Sequence, residues 1–185
     1  MIQEVLADAR QRMQKSVEAT RRELAGLRTG RAHPGLVEHI RVEYYGTPVP
    51  LNQLATITAP EPRLLVIQPW DRSALRNIEK ALMQSDLGLN PTSDGNVLRV
   101  PIPPLTEERR QDLVRLARKL AEEGRVAIRN IRREARETIE ELEDEGEISE
   151  DEARRAQEEL QRLTDRFIEE IDALLRRKEE EILEV

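Results

Sequence analysis

Cysteine is absent from the 185 residues, histidine occurs only as His33 and His39, and aromatic side chains make up 2% of the chain. The missing thiols remove disulfides and thiol chemistry. No run is apolar for long enough to form a signal peptide or a membrane span, so the expectation is a cytosolic protein with no membrane partner. With only Tyr44, Tyr45, Trp70 and Phe167 available, any core has to be aliphatic. No serine stands in a Gly-x-Ser-x-Gly setting, so no nucleophile system is visible. The phosphate-cradling Gly-x-x-x-x-Gly-Lys-Ser/Thr loop and the dinucleotide fingerprint are both missing, which leaves nucleotide binding without support. The acidic run from Glu140 to Glu152 lacks the glycine-spaced loop of a calcium site. No cofactor, no metal and no enzymatic reaction are expected. Binding is what remains.

Charge is what the chain has in excess. Charged residues make up 36% of the sequence, and 26 of its 30 basic residues are arginine. The net charge of −7 argues at face value against a nucleic-acid partner, but it is unevenly spread. Residues 1–30 carry +2, 31–104 carry 0, 105–136 carry +4 and 137–185 carry −13. The acidic excess lies at one end of the sequence, so a basic surface elsewhere can coexist with it.

The stretch from Thr106 to about Glu145 reads as one long helix with two faces. Leu113, Leu116, Leu120, Ala127, Ile131, Ala135, Thr138 and Leu142 recur at steps close to 3.6 and form an expected buried stripe. At about 100° per residue, Arg118, Arg125, Arg129, Arg132 and Arg136 fall in a second lane, about 130° round from the first. Glu123, Glu134, Glu137 and Glu141 fall mostly elsewhere, so the lane reads as a band of one sign. It is either a solvated charged face or an anion-binding surface. Gly124 lies in the apolar sector, where its cost of about 1 kcal/mol would be offset by a close helix approach.

The rest of the chain divides around this helix. Residues 2 to about 26 form a first amphipathic helix, with Ile2, Val5, Leu6, Ala9, Met13, Val17, Thr20, Leu24 and Leu27 in phase. Gly30 and Pro34 then break the pattern. From Leu36 the period becomes two. Ile40 to Tyr44, Leu54 to Thr58, Leu64 to Gln68 and Val97 to Ile102 read as strands, with Gly46-Thr47-Pro48 and Pro60-Glu61-Pro62 as turns. Asp71 or Ser73 caps a short helix that Gly88 ends. Pro103 and Pro104 close this block, and Thr106 caps the long helix. Ser149 and Glu152 form a capping box ahead of a last helix. Its seam of Ala153, Ala156, Leu160, Leu163, Phe167, Ile171 and Leu174 extends toward Ile182. The reading is an α+β protein: an antiparallel three-helix bundle from 1–30 and 105–185, with a small β/α/β domain, 31–104, inserted. Arg28 and Arg31 flank the first crossing and Arg109 and Arg110 begin the long helix, so all four are expected at one end of the bundle. Arginine with few aromatics suits phosphate contact and structured RNA better than base stacking.

Several segments together are recognisable: Leu27-Arg28-Thr29-Gly30-Arg31-Ala32, Val42-Glu43-Tyr44-Tyr45-Gly46-Thr47-Pro48, and Ser85-Asp86-Leu87-Gly88-Leu89-Asn90-Pro91. With Arg99 to Arg110 and Val126 to Arg133, the whole chain resembles the bacterial ribosome recycling factor family. The resemblance implies an L-shaped, cytoplasmic, non-enzymatic monomer. It implies binding to the large ribosomal subunit after termination and, with elongation factor G and GTP, subunit splitting that releases mRNA and tRNA. It also implies rRNA contacts through Arg28, Arg31, Arg109, Arg110, Arg129, Arg132 and Arg133. The joint between the two parts is expected to act as a hinge at Thr29, Gly30, Pro34, Pro103, Pro104 and Leu105.

A second reading is a coiled-coil scaffold or chaperone that binds protein partners. It accounts for the seam but not for the arginine lane or the insertion, and only RNA contact predicts affinity that falls steeply with salt. The expected partition has its own test. Residues 1–30 joined by a short linker to 105–185 should melt cooperatively by circular dichroism, and a non-cooperative melt would contradict it.

Overall fold

Heptad-like spacing gives three helices that cannot bury their apolar stripes alone, and in the computed structural model they bury them against one another. The structure describes residues 1–184. Helix α1 spans Ile2–Ala25, α3 Glu107–Asp144 and α4 Glu150–Glu184, so that α3 and α4 are about 57 and 52 Å long at 1.5 Å per residue. The turn between α3 and α4 forces them antiparallel. Gly146 takes a positive φ of 74° at the end of α3. The capping box is present in both directions: Glu152 N donates to Ser149 Oγ at 3.1 Å, and Ser149 N donates to Glu152 Oε1 at 3.4 Å.

The buried stripe of α3 is not the one its large residues suggest. Leu113, Ala117, Ala121, Gly124, Ile128, Ile131, Ala135 and Ile139 are buried, whereas Leu116 is 40% exposed, Thr138 is exposed, and Leu120, Ala127 and Leu142 are only partly covered. The stripe is turned toward the small residues because α1 and α4 come in close there. A Cβ on Gly124 would overlap Thr20 Oγ1 of α1 and lie 2.9 Å from Ile171 Cδ1 of α4. No methyl fits between them. The α4 seam also differs: Thr164 and Lys178 occupy buried positions, while Leu163 and Leu174 are half-buried. Thr164 is tolerated because its hydroxyl donates to Leu160 O at 2.8 Å, and the Lys178 ammonium reaches out to Glu181 at 3.3 Å.

Residues 29–106 form a second compact unit, while 1–28 and 107–184 form the first. These divisions fall two residues away from those read in the sequence. Strands β1 (Arg41–Tyr44) and β2 (Thr47–Pro50) make a hairpin. Its turn is Tyr45-Gly46, both at positive φ, so Thr47 and Pro48 lie in a strand rather than the expected turn. Strands β3 (Ala55–Glu61), β4 (Leu64–Pro69), β5 (Thr92–Ser93) and β6 (Leu98–Pro101) form an antiparallel sheet of order β3-β4-β6-β5. Pro60 does not end β3 as expected, because the register slips between Thr58 and Glu61 and lets the edge strand continue past it. Asp71 accepts from Ser73 N at 2.9 Å and starts a short turn that leads into α2, Leu75–Gln84. That helix stops at Ser85, ahead of Gly88. Leu65, Ile67, Ile78, Leu82, Leu98 and Val100 form an aliphatic core, with the Tyr44 ring packed against its edge.

Both ends of the second unit are tied to one turn. Ala32 N donates to Pro62 O at 2.7 Å and Ile102 N to Arg63 O at 2.8 Å. Outside those ties lie Thr29, Gly30 and Arg31 on one side and Pro103 to Thr106 on the other. Gly30 holds φ at +79°, and a Cβ there would lie 2.7 Å from Leu105 Cγ.

The tight contact in the bundle yields a prediction. Gly124→Ala improves helix propensity by about 1 kcal/mol yet should lower stability by about 1–3 kcal/mol through overpacking. Urea unfolding measures it, and Thr20→Ala in the same chain should recover part of the loss. A stabilised Gly124→Ala would contradict the close approach.

Candidate nucleic-acid interface

The arginine lane of α3 runs along the edge that borders α4, largely exposed except at Arg125, and α4 answers with carboxylates at the same seven-residue interval. Arg118 Nε pairs with Glu179 at 2.7 Å and Arg125 Nε with Asp172 at 2.7 Å. Arg132 Nη1 donates to Gln161 Oε1 at 3.2 Å, and Gln161 Nε2 donates to Asp165 at 2.8 Å. The band of one sign expected from α3 alone is therefore not single-signed in space. The neighbouring helix brings the acids, and Glu122 and Glu140 of α3 lie near enough to join them.

Each arginine can be sorted by its partner. Arg125, with 18% of its side chain exposed, also meets Glu122 at 3.0 Å. Burial works against its charged form, but the hydrogen bonds to Asp172 and Glu122 outweigh that and hold its pKa above the ordinary value. Glu122 reaches a second arginine, Arg129, at 3.0 Å, and the bonds from Arg129 and then Arg125 hold its pKa below the usual carboxylate range. Arg136 pairs with Glu140 at 3.2 Å. Two arginines differ from these. Among the described residues, Arg132 hydrogen-bonds only to the Gln161 amide and Arg133 only to Asn130 Oδ1, at 3.2 Å. A neutral oxygen positions a guanidinium without cancelling its charge.

The other expected contact residues lie elsewhere. Arg28, at the end of the first helical segment, is exposed and has no hydrogen-bond or ion-pair partner among the described residues. Antiparallel packing places it at the same end of the bundle as Arg109 and Arg110. Arg109 is exposed. Arg110 is turned toward the buried stripe, with 23% of its side chain exposed and Glu107 at 3.1 Å. From Arg109 to Arg132 is about 35 Å along the helix at 1.5 Å per residue, so these are two groups rather than one site. Arg31 is exposed and belongs to the smaller unit, where it too has no partner among the described residues. Among the hinge candidates, Thr29 is buried and Pro34 lies inside the smaller unit in a 3-10 turn, beyond the Ala32 tie.

Sequence reasoning missed Glu122, Gln161, Asp172 and Glu179. A signal was present, since Asp165, Asp172 and Glu179 repeat every seven residues against Arg132, Arg125 and Arg118 running the other way. Among the described residues no cluster of metal-ligating side chains occurs, and no helix is long and apolar enough to cross a membrane.

The sorting predicts two kinds of variant. Arg125→Met should cost about 1–3 kcal/mol in urea unfolding because it strands Asp172 and Glu122. Arg133→Gln should stay within about 0.5 kcal/mol of the parent. Equal losses would contradict the division.

The family model described as ribosome recycling factor matches residues 20–183. The chain is 60% identical over 185 residues, the full length of both, to the ribosome-recycling factor of Carboxydothermus hydrogenoformans. It is 59% identical over 182 residues, 98% of each chain, to that of Thermus thermophilus. A solution structure of the ribosome recycling factor superposes with a TM-score of 0.68 at 55% identity, covering 100% of this chain and 98% of the other. A second similar structure, TM-score 0.61 and 58% identity over 99% of each chain, models the T. thermophilus factor and E. coli elongation factor G bound to the E. coli post-termination complex. With an arginine-bearing α3 in a three-helix bundle, a small α+β unit between its first two helices, and this identity along its whole length, the chain belongs to the ribosome recycling factor family.

Proposed function

We propose that this protein binds the large ribosomal subunit after termination through arginine–phosphate contacts to rRNA and, with elongation factor G and GTP, splits the ribosome so that mRNA and tRNA leave. The observation that carries the reading is the set of arginines that keep their charge: Arg132 and Arg133 on neutral amides, and Arg28 and Arg31 with no acid partner among the described residues. Arg129 shares one carboxylate with Arg125 and adds to the same stretch of α3. Arg109 and Arg110 form a second contact at the joint end of the bundle. A similar factor and elongation factor G bound to a post-termination complex support the choice of partners. The protein supplies no chemistry of its own here; the energy comes from the GTPase, and the work is done in the cytoplasm, where ribosomes are.

Its part in splitting is a reorientation confined to the two chain crossings. Gly30 takes a backbone angle that other residues resist, and Pro103, Pro104 and Leu105 form the return strand beside it. The first crossing begins at Thr29 and ends at the Ala32 tie, with Pro34 stiffening the chain just beyond it.

Cosedimentation with purified large subunits across a salt series tests the docking. Arg132→Glu should leave the melting temperature nearly unchanged and weaken binding sharply, whereas binding that survives at moderate salt would reduce these arginines to a solvated face. Gly30→Val tests the joint. It should leave the Arg132 and Arg133 contact in place, so that large-subunit binding remains detectable at low salt although Arg28 and Arg31 flank the change, and should abolish GTP-dependent splitting. Splitting at the parental rate would contradict the hinge.

A further inference from the structure

Three rungs cross from α3 to α4 at matching intervals, and the third is built differently. Arg118 and Arg125 meet Glu179 and Asp172 directly, with an N to O distance of 2.7 Å in each case. By the same spacing Arg132 would meet Asp165. Instead the Gln161 amide stands between them, accepting from Arg132 at 3.2 Å and donating to Asp165 at 2.8 Å. Its orientation is fixed by chemistry, since a guanidinium can only donate and an ionised carboxylate can only accept. A side chain with one donor end and one acceptor end satisfies both neighbours and keeps the charges apart.

The surroundings make the difference count. Arg132, Arg136 and Arg154 line an open groove of about 840 Å³ between the two helices, together with Gln157, Gln161 and the carboxylates Glu140, Glu143, Glu150 and Asp151. Arg136 is held by Glu140 and Arg154 by Asp151, at 3.2 and 2.9 Å. Of these three, Arg132 alone enters the groove without a carboxylate partner.

We propose that Gln161 is a positioning residue for RNA binding: by separating Arg132 from Asp165 it orients the guanidinium while preserving its full charge for a phosphate. A carboxylate at position 161 would hold Arg132 in much the same place but cancel the charge. Asn130 gives Arg133 a neutral acceptor within one turn of α3, without bridging it to an acid. The proposal rests on the reading that Arg132 contacts rRNA phosphate, and the experiment separates the two.

Gln161→Glu is nearly isosteric and lies on an exposed position, so the fold should tolerate it; Asn130→Asp repeats the test at a second site. Large-subunit binding is measured over a salt series for the parent, Arg132→Gln, Gln161→Glu and the double variant, with melting temperatures alongside. Loss of one charge-assisted phosphate contact predicts affinity about tenfold lower for Gln161→Glu at low salt. The slope of log affinity against log salt should become shallower by about 0.9. The melting temperature should change little, since the new pair with Arg132 offsets the hydrogen bond lost and the repulsion gained at exposed Asp165, and the double variant should bind no more weakly than Arg132→Gln. A merely structural role for Gln161 would lower the melting temperature and leave the salt slope alone. If Arg132→Gln weakens binding while Gln161→Glu and Asn130→Asp match the parent in affinity and slope, the positioning role is overturned and the docking reading stands. A Gln161→Glu loss that persists undiminished in the Arg132→Gln background also overturns it, since the added charge would then be acting on RNA directly. Parental binding by Arg132→Gln would remove the docking reading itself.

Discussion

The register of α3 against its two neighbours is the constraint on which the bundle's surface depends. It is set where Gly124 lets Thr20 of α1 and Ile171 of α4 converge on the α3 backbone. Sliding or rotating any of the three helices would bring a Cβ from the next position into that space, and packed interiors do not absorb a displaced methyl cheaply. Ala117 and Ala121 continue the close approach. With the axes held this near, the polar edges of the stripe come into reach of each other, and the seven-residue interval of arginines on α3 meets the acids on α4. The apolar contact thus decides which guanidinium finds which partner.

That pairing divides the chemically identical arginines of α3 into populations. Arg118 and Arg125 bind across to carboxylates and act as straps between helices. Their contribution is structural, and it is largest for Arg125, whose burial would be costly without Asp172 and Glu122. Arg132 and Arg133 are directed by amide oxygens and remain full charges at the surface. Affinity for a polyanion depends on the number of phosphates neutralised, so a strapped arginine adds little to it and an amide-held one adds a whole contact. A net charge of −7 is no obstacle to such a surface, because the acidic excess, −13, lies in residues 137–185, past the arginines of α3.

Much of this was legible in the sequence, and the failures have common causes. The helix boundaries, the capping box at Ser149 and the close approach at Gly124 were visible because each is a local signal: a period, a cap, a glycine at an apolar position. The β2 strand was misread because Pro48 suggested a turn, while the hairpin turns on Tyr45-Gly46, where a tyrosine accepts a positive φ that residue statistics disfavour. The buried face of α3 was misplaced because leucines outweigh alanines in any hydrophobic pattern, and only the neighbouring helices reveal that small residues were required. The arginine lane was seen correctly as a lane and incorrectly as unpaired. A helical projection contains one helix, and the acids that answer Arg118 and Arg125 arrive from another, some fifty residues later in the chain.

The central claim is that partner chemistry sorts these arginines into straps and RNA contacts. Arginine-selective modification with a glyoxal reagent, quantified residue by residue by mass spectrometry with and without purified large subunits, tests it most directly. Arg132 and Arg133 should be labelled in the free protein and protected in the complex, while Arg118, paired but exposed, and the more buried Arg125 should each show no change between the two states. Protection of Arg118 and Arg125 on binding, with Arg132 and Arg133 labelled equally in both states, would contradict the account.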